Sequence, residues 1–254
     1  MKTNDKESIK NSDPTPKIFL NPSYVKRLRK FCFDPREFRG DPNWDLEDIM
    51  REFVEGFRFL VNLKKEVTIF GSARLSQKSH WYAVARELGE KLAEEGYTVI
   101  TGGGPGIMEA ANRGAHASAV TNHRECSIGF DIILPAGERR NAYVERRMPF
   151  HYFFTRKVML SASAQAYIFF PGGYGTIDEF TEILTLVQTE KMEKVPIICV
   201  GKEYWESFKK WMDQQMLEDE EKLIDRKDIS LFHIVNSAEE AMKIVRVSKE
   251  RVFF

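Results

Sequence analysis

Five short apolar runs constrain this chain more than any other feature: "VTIFG" (67–71), "YTVITGGG" (97–104), "CSIGFDIIL" (126–134), "QAYIFF" (165–170) and "VPIICVG" (195–201). Between and after them lie segments of helical period: "HWYAVARELGEKLAEEG" (80–96), "PGIMEAANRGAHAS" (105–118), "TIDEFTEILTLVQTEK" (176–191), "EYWESFKKWMDQQM" (203–216) and "SAEEAMKIV" (237–245). The stretch "YFFTRKVMLSASA" (152–164) reads as a strand end running into a helix, and residues 231–235 as a further strand. Near-continuous apolar strands alternating with amphipathic helices require a parallel sheet covered on both faces. The expected fold is α/β, a Rossmann-like doubly wound parallel sheet over 66–254, plus an N-terminal helical extension.

Residues 1–16 are rich in Lys, Asn, Asp, Ser and Pro and are expected to form a flexible tail. Residues 17–65 make up the extension. Within it, "SYVKRLRKFCFDPREFRGDP" (23–42) reads as a solvated basic face with turns. Asp45 opens a helix whose apolar stripe, Leu46, Ile49, Phe53, Phe57, Leu60 and Leu63, needs a core or a partner subunit. The 38 basic and 38 acidic residues cancel, which gives no reason to expect nucleic acid or membrane as a partner. The apolar runs are far shorter than a membrane span. Cys32, Cys126 and Cys199 lack metal-ligand spacing and suit a reducing compartment, so a soluble cytoplasmic protein is expected.

In a doubly wound sheet, ligands bind beyond the carboxyl ends of the strands. Three such ends here carry glycine-rich or hydroxyl-bearing turns: "FGSAR" with Gly71 and Ser72, "TGGGPGIM" with Gly103, Gly104, Gly106 and Met108, and "PGGYGT" with Gly172, Gly173, Tyr174, Gly175 and Thr176. Glycine provides sharp turns, but it also lets a ligand approach the backbone, and helix N-termini attract anions. A phosphorylated small molecule is the natural ligand. The turns do not complete a G-x-G-x-x-G dinucleotide fingerprint, because Ile107 and Glu109 stand where its last glycine would be, and the chain has no nucleoside-triphosphate loop.

The third turn admits two readings. Thr176 and Glu179 have the T-x-x-E spacing of a capping box, which would occupy both side chains at a helix start. A cap does not explain Gly172, Gly173 and Gly175 in one turn, nor Arg156 and Lys157 one strand earlier. The two readings part at Glu179, which cannot easily serve the backbone and a substrate together.

"PGGYGTIDE", "TRKVM" with Arg156 lying 23 residues before Glu179, and "GGGPGIMEAAN" together resemble the LOG ("lonely guy") family of nucleoside 5′-monophosphate phosphoribohydrolases, often described as possible lysine decarboxylases. The similarity covers roughly residues 66–200. It implies hydrolysis of the N-glycosidic bond of AMP or a cytokinin riboside 5′-monophosphate to free base and ribose 5-phosphate, with no metal or cofactor. Carried over residue by residue, it implies Arg156 and Glu179 as the catalytic pair and Gly172, Gly173, Gly175 and Thr176 as the phosphate turn. Lys157, Glu138 and Thr185 would contact substrate.

Breaking a ribosyl C–N bond builds positive charge on the sugar, so a carboxylate beside the anomeric carbon favours the transition state. Glu179 could act so, activate water, or form a ribosyl ester. Arg156 could orient Glu179 or hold phosphate and ribose. Thr185, six residues and about 240° round the helix from Glu179, does not share its face; if both touch substrate, Thr185 could do so across a subunit interface, in line with the family's habit of dimerising. Arg139, Arg140, Arg146 and Arg147 form a loop that is either solvated or a positive rim. The competing function is a non-catalytic carrier of a nucleotide or phosphorylated cofactor on the same fold. A pyridoxal-phosphate decarboxylase is set aside, because no lysine has a persuasive Schiff-base environment.

Overall fold

The computed structural model describes residues 46–122, 124–134, 139, 141–162, 164–217 and 221–250. The expectations for residues 1–45, including the tail, the basic stretch and Asp45, and those for Glu138 and Arg140, lie outside the described residues.

Seven parallel strands form one sheet: β1 (Glu66–Phe70), β2 (Thr98–Thr101), β3 (Ser127–Ile132), β4 (Arg146–Phe150), β5 (Ala166–Phe169), β6 (Ile197–Val200) and β7 (Phe232–Val235). Their spatial order is β4-β3-β2-β1-β5-β6-β7. The chain therefore winds outward from β1 to one edge, returns to place β5 on the other side of β1, and winds to the opposite edge. Val67 pairs with Val99 on one side and with Ala166 on the other. This is the expected doubly wound α/β fold, and it puts the reversal of strand order between β1 and β5.

Two apolar layers cover the sheet, because alternate strand residues point to opposite faces. Val67 and Ile69 of β1 and Ile168 of β5 pack under α2 (His80–Glu94), α3 (Ile107–Asn122) and α7 (Ala238–Val245). Phe70, Tyr167 and Phe169 pack under α1 (Leu46–Leu60), α4 (Phe153–Ala162), α5 (Tyr174–Gln188) and α6 (Lys202–Met212). Fully buried Trp205 of α6 touches Phe169 and Phe180 and donates its indole N–H to Phe169 O at 3.1 Å. No described helix is long and apolar enough to cross a membrane.

The structure changes the sequence reading in two places. Residues 146–150, read as part of an arginine-bearing loop, form the edge strand β4, and the strand end expected in "YFFTRKVM" is absent because Phe153 already opens α4. Only Met148 and Phe150 of β4 are buried, which is too weak an alternation to read, and Pro149 is tolerated because the strand lies at an edge. Residues 46–65, assigned to the extension, fold with the α/β unit, which begins at Leu46. Leu60 enters the core, and Gly56 lets α1 approach Met159 of α4. Along the apolar stripe, Ile49, Phe53 and Leu63 are half-buried, while Leu46 and Phe57 stay exposed.

A buried polar cluster fixes the turn after β2. Asn112 of α3 accepts from Thr101 Oγ1 at 2.5 Å and from Asn141 Nδ2 at 3.0 Å, and donates to Ser127 Oγ at 2.9 Å. Thr101 Oγ1 in turn accepts from Gly103 N–H, and Asn141 donates to Gly104 O. Helices α2 and α3 pack closely because each offers a glycine to the other's backbone. A Cβ on Gly89 would lie 2.1 Å from Ala111 O, and one on Gly114 1.9 Å from Arg86 O. Gly114→Ala, which in an isolated helix would raise stability, is therefore expected to destabilise by about 1–3 kcal/mol in urea denaturation.

Candidate active site

A cavity of about 960 Å³ opens at the carboxyl ends of β1 and β5, at the reversal of strand order. The three glycine turns meet beside it through the Ser72 peptide. Ser72 N–H donates to Pro171 O at 3.1 Å, and Ser72 O accepts from Ile107 N–H at 3.0 Å. Of the residues singled out in the glycine turns, Gly71, Ser72, Met108, Gly172, Gly173, Tyr174, Gly175 and Thr176 line the cavity. Gly103, Gly104 and Gly106 do not; the first and last have positive φ and serve the turn itself. Gly102 takes their place on the wall.

Arg156 sits on the first turn of α4. Its Nε–H donates to Phe130 O at 2.7 Å and its Nη2 to Gly102 O at 3.3 Å, which lays the guanidinium between β3 and the turn that follows β2. A Cβ on Gly102 would lie 2.1 Å from Nη2, so only glycine at 102 leaves the arginine this position. Nothing in "TGGG" distinguishes that glycine from its neighbours; the close approach is a tertiary fact.

Helix α5 starts one turn earlier than the T-x-x-E spacing suggests. Gly173 is its N-cap, and no side chain caps it. Thr176 is already helical and tucks under the turn, where a Cβ on Gly172 would lie 2.0 Å from its Oγ1. The capping box therefore does not form. Gly173 and Gly175 have only open space within 4 Å of a built Cβ, so packing within the chain does not call for glycine at either position. Tyr204 Oη donates to Gly172 O at 2.8 Å and steadies the turn from α6.

Glu179 lines the cavity with only 8% of its surface exposed, and its Oε2 has no hydrogen-bond partner. Burial pushes its pKa up to about 7; Lys157 and Arg156 oppose the shift, and Glu182 and Asp178 add to it. Arg156 and Glu179 thus face one cavity.

Other expected contacts fall elsewhere. Lys157 is absent from the cavity wall and is bonded to Asp178 at 2.6 Å and Glu182 at 2.7 Å, which ties α4 to α5 behind Glu179. Burial would lower its pKa, but these two carboxylates outweigh it and hold it above the usual lysine range. Thr185 is exposed, off the cavity, and bonded to Thr181 O. The three described arginines of this stretch do not line the cavity: Arg139 pairs with Glu109, Arg147 with Asp131, and Arg146 lies over Phe59 and near Glu125. Arg74, the last residue of "FGSAR", and Phe153, which lies in no glycine turn, join the wall without having been singled out.

A family model described as "possible lysine decarboxylase" matches residues 108–245, which is 138 of the chain's 254 residues. Cytokinin riboside 5′-monophosphate phosphoribohydrolase LOG1 of Arabidopsis thaliana is 26% identical over 191 residues, 74% of this chain and 84% of that protein. The probable cytokinin riboside 5′-monophosphate phosphoribohydrolase LOGL5 of Oryza sativa subsp. japonica is 25% identical over 155 residues, 61% of each chain, so the match spans less than two thirds of the rice protein. The pyrimidine/purine nucleotide 5′-monophosphate nucleosidase of Escherichia coli (strain K12) is 27% identical over 140 residues, 53% of this chain and 30% of that one. Among solved structures, a molybdenum cofactor carrier protein from Chlamydomonas reinhardtii superposes with a TM-score of 0.50 at 20% identity, over 72% of this chain and 96% of that one, a likeness of fold. With the family model covering more than half of its length, the chain belongs to the LOG family.

Proposed function

We propose that the protein is a nucleoside 5′-monophosphate phosphoribohydrolase, releasing free base and ribose 5-phosphate from AMP or a cytokinin riboside 5′-monophosphate. The observation that carries this reading is the buried, unpartnered carboxylate of Glu179 in the cavity that Arg156 also lines. A carrier of anionic nucleotides gains nothing from an unpaired carboxylate in its pocket, whereas bond cleavage that builds positive charge does. The older decarboxylase description finds no support at Lys157, because an amine held protonated by two carboxylates is a poor Schiff-base nucleophile.

The helix supports the substrate's orientation. The N–H groups of Tyr174 and Gly175 precede the first bond of α5, from Thr176 N–H to Gly173 O, and Gly173 and Gly175 leave room for a 5′-phosphate against them. Glu179 lies five residues beyond Tyr174, roughly 7.5 Å along the axis, with its side chain inclined back toward the N-terminus. That span suits the step from the 5′-phosphate to the anomeric carbon. The C–N bond breaks with its electron pair leaving on the base, water adds to the anomeric carbon, and the proton it loses balances the one the base takes up. Ionised Glu179 stabilises the cationic sugar between these events. The same reading takes the protein as a homodimer, with Leu46, Met50, Phe57 and Val61 of α1 and its following turn as exposed apolar surface for contact. A light-scattering mass of one chain would exclude it.

Incubation with AMP and isopentenyl-AMP is expected to release free base, and Glu179→Gln to lower kcat by roughly 10²–10³-fold. No release from any nucleoside monophosphate removes this reading, and full activity of the variant removes the role of Glu179. Corrected for the substrate phosphate, kcat/KM should fall about ten-fold per pH unit below the Glu179 pKa of about 7, and this limb should be absent in the variant.

Stability should move the opposite way. The unfolded carboxyl ionises near 4.5, so between that value and about 7 the folded state holds an additional proton. Stability therefore falls as pH rises through this window and stays lowered above it. Glu179→Gln should raise Tm by several degrees at pH 8 and leave it nearly unchanged at pH 4.5, as read by calorimetry.

A further inference from the structure

Helix α1 precedes the residues matched by the family model, yet it places a buried carboxylate against the start of α4. Glu52 is 8% exposed. Its Oε1 accepts from His151 N–H at 2.5 Å, and its Oε2 from Tyr152 N–H at 3.4 Å and Thr155 Oγ1 at 2.5 Å. Tyr152 is the residue before Phe153, the first of α4, and Tyr152 O accepts from Arg156 N–H in the first hydrogen bond of that helix. Both N–H groups bonded to Glu52 belong to the two residues that lead into α4, and Thr155 lies in its first turn, so the carboxylate from α1 caps the helix by anchoring its entry and by setting negative charge at its positive end.

The position of this cap matters because Arg156 is the next residue after Thr155. Its guanidinium reaches Phe130 O and Gly102 O only from one setting of the first turn of α4. Gly56, one turn after Glu52 on α1, lets that helix approach α4 so closely that a Cβ there would lie 2.4 Å from Met159 Sδ. Glu52 is therefore held at the N-terminus of α4 by packing as well as by hydrogen bonds.

We propose that Glu52 is a positioning residue for Arg156, fixing through the first turn of α4 where the guanidinium stands in the cavity. This rests on the reading of Arg156 as a substrate-contacting residue, but the contact itself can be tested without turnover. Glu52→Gln keeps the shape but turns one acceptor into a donor that faces other donors. In the full-length chain it should lower kcat/KM for base release from AMP by about ten-fold or more, since small misplacements of a reacting group are felt strongly. The same change in an Arg156→Ala background should alter activity by less than about two-fold, because the group being positioned is gone. Ser237→Ala, which removes the cap of α7 far from the cavity, should lower Tm and leave activity unchanged.

The readout independent of activity is the Nε–H resonance of Arg156 in a ¹H–¹⁵N spectrum, assigned by its loss in Arg156→Lys. Glu52→Gln should shift or broaden it and increase its exchange with solvent, while Ser237→Ala should not. If Glu52→Gln does not fold, Thr155→Val, which removes one of the three donors, is read in the same way. An unchanged Arg156 resonance, or equal losses of activity in the two backgrounds, overturns the proposal. If the wild-type protein releases no base, the phosphoribohydrolase reading fails by itself, and the resonance still decides whether Glu52 positions Arg156.

Discussion

The peptide of Ser72 joins what the sequence spreads over a hundred residues. Its N–H is spent on the turn after β5 and its carbonyl on the start of α3, so the three glycine turns are held by one another as well as by their own strands. These bonds exist only because β1 lies between β2 and β5, which is the reversal of a doubly wound sheet. The wall of the cavity follows from that arrangement. Gly102 yields space to Arg156, Gly172 yields space to Thr176, and Gly173 and Gly175 leave space that no atom of the described residues fills.

Within this frame the two ionised partners of the site are treated differently. Arg156 donates to the backbone carbonyls of Phe130 and Gly102, which fixes the plane of its guanidinium. Glu179 is buried and left with an orphan oxygen, in a position where folding alone would favour an apolar residue or a paired one. Lys157 prevents the repulsion among Asp178, Glu179 and Glu182 from growing further by engaging two of the three. A site in which one carboxylate is stabilised poorly and its neighbours well is the expected signature of function set against stability.

Much of this was legible in the residues. Strongly apolar runs gave five strands, and "LFHIV" gave the last, because buried parallel strands need no polar face. β4 escaped because "RRMPF" carries two arginines and a proline, an edge composition that looks like a loop. The glycine turns were legible as a group, but the division of labour within them was not. Whether Gly102 or Gly103 faces the cavity, and whether Gly173 or Thr176 begins a helix, depends on how other elements press against the turn. Lys157 faces the acidic side of α5 and not the cavity for the same reason, and Glu52 gave no local sign at all. Its partners lie about a hundred residues downstream.

The pairing of β1 with β5 also bears on how the molecule is made. Val67 meets Ala166, and every residue between them must be synthesised and gathered before the central pair of strands can close. Strands β1 to β4 can associate as soon as they emerge, since each neighbours the next in sequence, but the chain through β4 carries well under half of the cavity wall. On the ribosome the half-finished sheet exposes β1 as an open edge, a surface prone to mispairing. The turn at 171–176 reaches Ser72 only once β5 docks, and Tyr204 of α6, later still in the chain, completes the wall.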